Sequence, residues 1–495
     1  MNRDFWRSEL FWSLLLAALV LSIYAIRLAG PSNLEADAQD RNVGYVMDVV
    51  WQGHWLVQED IRGRIMSKPP LHTWITAGFA GIGGINRLTL TLASALAVLA
   101  MALLVFRVGR QRFGVLAGGL AGLAVVLAPM MSKHVALVRT DALFALAVAL
   151  GALAAHRAWE RGGGWVPFWL AAGTATLIKG PLGLGLAGMG LLAWFWERRS
   201  DATTPPLRGS HWAGVALFLI LVLGWLVPAL LSAGQPLVDK LFFQELVGQA
   251  TGMGKGGFPG QNLPKPTLYF ILRFLPFSLF AAYGLWRIFR HPAADGAIRR
   301  FERFIFCWIV GGIVLFSLAS HHRGDLLLPL WPAAALLAGK EMARLGERVG
   351  RRWLSAGMAG FAVFILAATY WMYHAKGMES EEVRYTAAAE QAAHALKASG
   401  LDVRTLRHLD TPVTLQLHLG TVTPWIGEDE ALRLAGGALP VHLAVESPED
   451  FRKLFGPQGP LLREVFRWPP GKTQGRPVLR VFYNAPESRV QTEKQ

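Results

Sequence analysis

The sequence predicts a polytopic α-helical membrane protein of about eleven transmembrane helices, followed by a small C-terminal α/β soluble domain. Three observations predict it. Of 495 residues, 53% are hydrophobic and 17% charged, with 19 Trp and a positive mean hydropathy, far from the balance of a soluble globular chain. The apolar residues fall in runs long enough to cross a hydrocarbon layer of about 30 Å. The basic residues gather in alternate loops between those runs, as the positive-inside rule requires of a polytopic chain.

The runs lie at 10–29, 88–106, 115–131, 142–159, 165–178, 181–196, 212–231, 268–288, 304–319, 326–338 and 354–373. The first follows a basic head and has about 19 apolar residues, longer than the h-region of a signal peptide, so it reads as an uncleaved span. With a cytoplasmic N-terminus, the inside loops collect about twenty Lys and Arg, among them Arg107, Arg110 and Arg112, Arg198 and Arg199, and Arg299, Arg300 and Arg303. The longer outside loops hold about half as many. This arrangement accounts for the net charge of +15 and excludes nucleic acid as a partner, since no basic face interleaved with aromatics is present. The single Cys307 sits in an apolar run, which rules out an intramolecular disulfide and a cysteine metal cluster.

Three segments then share the outer face: 31–87, 132–141 and the Gly- and Pro-rich 232–267, whose composition suits a lid. Val43, Val46, Met47, Val50 and Trp51 recur at helical spacing and predict a short amphipathic helix on the membrane surface. The membrane domain is 1–376; the soluble domain, 377–495, also lies on the outer face. Its pattern predicts a helix over 381–398, a strand in "TPVTLQLHL" (411–419), a strand in "PVHLAVES", a short helix from "PEDF" and a strand in "RPVLRVFYNA". It has neither a phosphate loop nor metal-ligand spacing, so its letters offer no chemistry.

Ionisable groups at the bilayer that belong to no inside loop are costly to keep and mark function. Five clusters qualify: Glu35, Asp37 and Asp40 with Arg41 and Asp48; Lys68, stiffened by two prolines in "MSKPPLHTW"; Arg139 and Asp141 at a span entrance; Lys179 before a Gly-Pro break; and His321, His322, Arg323 and Asp325 in a short turn. Each has a plain alternative: a solvated loop, a snorkelling lysine, an ion pair at a helix start. Two adjacent histidines place no third ligand, so no metal is assigned. The letters neither require a cofactor nor exclude a divalent metal. Outer carboxylates with outer cations suit a phosphorylated, lipid-attached substrate, the cations neutralising phosphate and a carboxylate orienting or deprotonating an acceptor.

In order, "EADAQDRNVGYVMDVVWQGHWLVQEDIRGRIMSKPPLHTWI", "VRTDALFALAVAL", "LIKGPLGL", "FFQELVG" and "HHRGDLLLPLWPAAALL" resemble the GT-C superfamily of polyprenyl-phosphate-sugar glycosyltransferases, in its ArnT-like and protein O-mannosyltransferase-like branch. The resemblance covers about residues 2–373. It implies inverting transfer of a sugar from a polyprenyl-phosphate carrier to a lipid, glycan or protein acceptor, on the outer side of a bacterial inner membrane. Carried over, the first acidic pair falls on Glu35 and Asp37 and the second acidic position on Asp141. The family's "KPP" lysine falls on Lys68, its "KG" lysine on Lys179, its long-loop glutamate on Glu245 and the basic residue before "LLP" on Arg323; beside these, Arg139, His322 and Arg41 are taken as further candidates for binding the phosphate or lipid carrier. The family's adjacent Asp-Glu is split here as "EAD", which leaves Glu35 or Asp37 as the principal carboxylate, and Ser67 stands where an acid often precedes the lysine. The competing class is a lipid or solute transporter, which favours internal repeats and midplane charges; this sequence has neither. Oligomeric state is not readable.

Overall fold

In a hydrocarbon layer a single segment satisfies its backbone N–H and C=O groups only by closing hydrogen bonds within itself, so apolar runs of this length become helices. A computed structural model of the protein describes residues 8–36, 38–251, 263–320, 323–446, 462–469 and 479–484. Asp37, His321, His322, residues 252–262 of the long loop and the helix expected from "PEDF" lie outside the described residues.

Among the described residues, seven helices are long and apolar enough to cross a membrane: Glu9–Ala29, Arg87–Phe113, Asp141–Arg161, Trp212–Ala233, Gly296–Leu318, Gly324–Val349 and Arg351–Glu379. The remaining expected runs are helical too, but short or broken. Val115–Leu127 stops before Pro129, which opens the separate Pro129–His134. Val166–Lys179 has 14 residues. The run 181–196 divides into Leu182–Gly188, a tighter turn at Met189–Leu192, and Ala193–Ser200. The run 268–288 divides into Pro264–Arg273 and Phe277–Arg290 on either side of Pro276. A proline has no N–H to donate and clashes with the preceding turn, so an apolar run containing one need not be one helix.

The chain divides into two units. The first comprises Met1–Gly30, Ser67–Thr76 and Thr91–Tyr373. Its core holds Trp12, Trp159, Trp165, Phe304, Trp308 and Trp331, all fully buried. Small residues set the helix spacing: a Cβ at Gly119 would run into the Trp12 ring, and one at Gly339 into the Ala117 carbonyl. Fully buried Glu197 accepts from Arg299 Nε at 2.8 Å and Arg303 Nη1 at 2.6 Å, which ties Ala193–Ser200 to Gly296–Leu318.

The second unit comprises Pro31–Met66, Ala77–Leu90 and His374–Gln495. A helix is present where one was expected, as Gln39–Met47 continued by a wider turn at Asp48–Gln52, and its apolar residues Val43, Val46 and Met47 are buried in protein. Asp48 is structural: it takes His54 Nδ1 at 2.9 Å and the Glu59 N–H at 2.9 Å. The strands β1 (Leu406–His408), β2 (His442–Val445), β3 (Arg463–Trp468) and β4 (Leu479–Tyr483) form a sheet in the order β1-β2-β4-β3, with β1 parallel to β2 and the other pairs antiparallel. Alternate strand residues face opposite sides. Ala444 and Val481 meet Ala389, Ala393 and Leu396 of the helix Glu381–Ala398, while Leu443 and Phe482 meet Ala431 and Ala435 of Glu428–Gly436.

One expectation fails. "TPVTLQLHL" is not a strand but the helix Val413–Leu419. Pro412 precedes its first turn and Gly420, at φ 78, ends it in the left-handed conformation typical of a helix stop. All seven helix residues except His418 are buried, so the apolar alternation did not report a half-exposed sheet face.

Candidate active site

Asp141 is the centre of the membrane unit's ionic network. It opens the helix Asp141–Arg161, where a carboxylate favours the N-terminal dipole, and it is 2% exposed. Lys179 Nζ lies 2.5 Å from its Oδ1 and Arg139 Nε 3.0 Å from its Oδ2. Lys179 is the last residue of Val166–Lys179, a favourable end for a cation, and Gly180 at φ 89 stops that helix. Arg139 reaches further: its Nη1 lies 2.9 Å from Asp325 Oδ2, and the same oxygen meets Arg323 Nη2 at 3.0 Å. The order Lys179, Asp141, Arg139, Asp325, Arg323 therefore alternates in sign, buried at Asp141 and open to solvent at Arg323, and a chain of this kind keeps each charge compensated by its neighbours.

His134 completes the cluster, and sequence reasoning missed it. Its Nδ1–H donates to the Met130 carbonyl at 2.8 Å, while Nε2, buried without a hydrogen-bond partner, lies 3.9 Å from Asp141 Oδ2. His134, Asp141 and Asp325 bring ligand atoms within 4.8 Å of one another. They do not fit a divalent cation as they stand, because Lys179, Arg139 and Arg323 already take both carboxylates.

Beside this network the membrane unit holds a cavity of about 600 Å³. Lys68, Lys179 and Glu245 contribute its charges, and Leu177, Phe218 and Trp225 belong to its apolar wall. Pro69 and Pro70 fix the chain just after Lys68, and Glu245 stands on the Asp239–Val247 helix. Burial, reinforced by repulsion from Lys179, lowers the Lys68 ammonium to about 8 against the pull of Asp141 and Glu245. A cation so placed gains its charge most readily when an anion arrives.

Glu35 and Arg41 belong to the second unit. The Thr414 N–H and hydroxyl donate to Glu35 Oε1 at 2.7 and 2.6 Å. Burial nonetheless raises the Glu35 carboxyl above its usual range. Glu35 and Asp40 line an acidic cavity of about 540 Å³ with Glu382, Asp410 and Glu446, bordered by Trp425. Arg62 lies 3.7 Å from Asp40 and 4.7 Å from the Trp425 ring centre. The Tyr385 hydroxyl donates to Glu446 Oε2 at 2.5 Å, and burial pushes Glu446 up to about 7. These soluble-domain residues carried no signal in the sequence. Of the residues singled out there, the structure joins Arg139, Asp141, Lys179 and Arg323 in one network, sets Lys68, Lys179 and Glu245 around one cavity, and puts Glu35 and Arg41 in the second unit.

The family model described as dolichyl-phosphate-mannose-protein mannosyltransferase matches residues 67–227. Over 348 residues, 67% of this chain, the sequence is 28% identical to undecaprenyl phosphate-alpha-4-amino-4-deoxy-L-arabinose arabinosyl transferase 1 of Sodalis glossinidius (strain morsitans). Over 351 residues it is 25% identical to an undecaprenyl phosphate-alpha-4-amino-4-deoxy-L-arabinose arabinosyl transferase of Erwinia tasmaniensis. The matches span 59% and 61% of those two relatives, less than two thirds of either. The fold matches the crystal structure of ArnT from Cupriavidus metallidurans bound to undecaprenyl phosphate with a TM-score of 0.76 at 18% identity, covering 97% of this chain and 99% of that one. The apo form of the same protein gives a TM-score of 0.73, with coverages of 96% and 98%. The chain shares the fold of ArnT and, with seven helices among its described residues long and apolar enough to cross a membrane, is a multi-pass membrane protein.

Proposed function

We propose that this chain is an inverting glycosyltransferase that takes a sugar from a polyprenyl-phosphate carrier and gives it to a lipid, glycan or protein acceptor on the outer face of a bacterial inner membrane. One observation carries the reading: the membrane unit holds a cavity whose wall is apolar and whose charges include two lysines, Lys68 and Lys179. That pairing suits a ligand that is hydrocarbon at one end and phosphate at the other. In the reaction the bond between the anomeric carbon and the phosphate oxygen breaks, its electron pair staying on the phosphate. The acceptor oxygen bonds to that carbon from the opposite face and its proton passes to a carboxylate or to water. Lys68, Lys179 and Arg323 would stabilise the charge that grows on the leaving phosphate. Asp37, or Glu35, would orient or deprotonate the acceptor, with Asp141 holding the cations in place. The relatives are named for 4-amino-4-deoxy-L-arabinose, so an amino pentose is the first donor to try.

The test is purified protein incubated with a panel of polyprenyl-phosphate sugars, reading release of the unloaded carrier. Consumption of one donor, abolished by Asp37→Asn in a protein that still expresses and folds, is the expected result. A panel left untouched would remove the transferase reading. Full activity of the variant would remove Asp37 from its role.

A further inference from the structure

We infer that Asp325 is a built-in stand-in for the carrier phosphate: it occupies Arg323 while the site is empty, and its return to Arg323 sets how fast the unloaded carrier leaves. The inference rests on the reading of this site as one for a polyprenyl phosphate.

A single oxygen, Asp325 Oδ2, meets both Arg139 Nη1 at 2.9 Å and Arg323 Nη2 at 3.0 Å. That is the bridging position a phosphate oxygen takes between two guanidinium groups. The two contacts differ in depth. The Arg139 side chain is 10% exposed and also holds Asp141, whereas the Arg323 side chain is 44% exposed. An incoming anion therefore displaces Asp325 from Arg323 at little cost and leaves the Arg139 contact in place.

Charge gives the displacement a direction. The sugar-loaded carrier is a phosphodiester with one negative charge, and the unloaded carrier is a monoester with about 1.5 to 2 near neutral pH. The same cations hold the product more tightly than the donor, so release is the step such a site makes slow. Without Asp325, the carrier would meet Lys179 and Arg139 still paired to Asp141, and Arg323 without the carboxylate it holds at 3.0 Å. Asp325 supplies a tethered competitor that takes Arg323 back as the phosphate departs.

The experiment measures binding and dissociation of undecaprenyl phosphate, unloaded, on the full-length protein in lipid nanodiscs. Asp325→Asn is expected to bind it about tenfold more tightly, with the change in the dissociation rate, because one charged competitor has gone. Asp325→Glu, which keeps a carboxylate, is expected to restore fast release. A residue that only braced the fold would weaken binding when replaced. Equal or weaker binding by a folded Asp325→Asn variant overturns this inference and leaves the transferase reading standing. Unfolding of both variants assigns Asp325 to the fold and overturns it too. Failure of the unsubstituted protein to bind undecaprenyl phosphate overturns the site reading and this inference together.

Discussion

Replacing Asp141 with Asn takes away the anion that Lys179 meets at 2.5 Å and Arg139 at 3.0 Å, in a position 2% exposed. At such separations and an effective dielectric constant of about 20, each pair is worth roughly 6 kcal/mol before desolvation is counted. Desolvation offsets most of that, and removing one partner of a buried pair costs about 3–5 kcal/mol because the other charge stays buried. Asn keeps one acceptor oxygen, so about 3 kcal/mol is expected for Asp141→Asn. Lys179→Gln should cost less, since Arg139 still faces Asp141. In the double variant neither buried charge is left without its partner, so the two losses should fall short of their sum by about 2 kcal/mol. Detergent-titrated unfolding of the four proteins gives this cycle, and undecaprenyl phosphate binding is read on the same samples. The double variant should be more stable than Asp141→Asn and still bind poorly, because the Lys179 charge is gone. A coupling below about 0.5 kcal/mol would refute the argument, since it would mean the two groups do not depend on each other.

Three further outcomes follow from other parts of the molecule. Lys68, lowered to about 8, is charged below that pH and neutral above it, so affinity for undecaprenyl phosphate should fall about tenfold from pH 7 to pH 9, and Lys68→Arg should flatten the curve. Glu446 is raised to about 7 by burial and by Asp410 and Glu35, against Tyr385 and Arg62, so folding favours its protonated form. Its contribution to stability is present at low pH and is lost as pH rises from the ordinary carboxylate range through 7, by at most about 3 kcal/mol. Hydrogen-exchange protection of β2 should drop over that range in the native protein and hold steady in Glu446→Gln. Glu197→Ala leaves Arg299 and Arg303 without the carboxylate that joins two helices and should cost about 3–5 kcal/mol, read as a fall in detergent-unfolding midpoint; a loss under about 1 kcal/mol would mean those guanidinium groups are satisfied by water.

The helical runs were legible because burial in hydrocarbon acts on many residues at once, and the sum survives local exceptions. The breaks were less so. Pro129 and Pro276 were visible in the letters, but a window averaged over an apolar run does not register one missing N–H. In "TPVTLQLHL" the alternation pointed to a strand, while Pro412 and Gly420 carried the stronger and overlooked signal. Within the site, Arg139 and Asp141 were readable because they are neighbours in sequence and cations and anions at a span entrance are costly. Their partners were not paired in advance, because Lys179 and Asp325 reach them only through helix packing. His134 gave no sign, since a lone histidine in an apolar stretch looks the same with or without a carboxylate near its Nε2. The acidic cavity was hidden for the same reason: Glu35 and Glu446 come from distant segments, and each alone resembles an ordinary surface acid.

The charges of the membrane unit make one argument that no single residue makes. Among the described residues of the network, Lys179, Arg139 and Arg323 stand against Asp141 and Asp325, and Lys68 and Glu245 add one of each sign at the adjoining cavity. The balance is one positive charge in excess. Burial pushes the Lys68 ammonium towards the neutral form, and repulsion from Lys179 and Arg139 adds to it against the pull of Asp141 and Glu245. A fold gains nothing from surplus buried charge, since desolvation penalises it and repulsion adds to the penalty. On the proposed reading, an arriving phosphate reverses both: it holds the charge of Lys68 to higher pH and meets cations already held in place by their carboxylates, so little reorganisation remains when charge grows on the leaving oxygen. The excess is therefore best understood as a property of the site waiting for its anion.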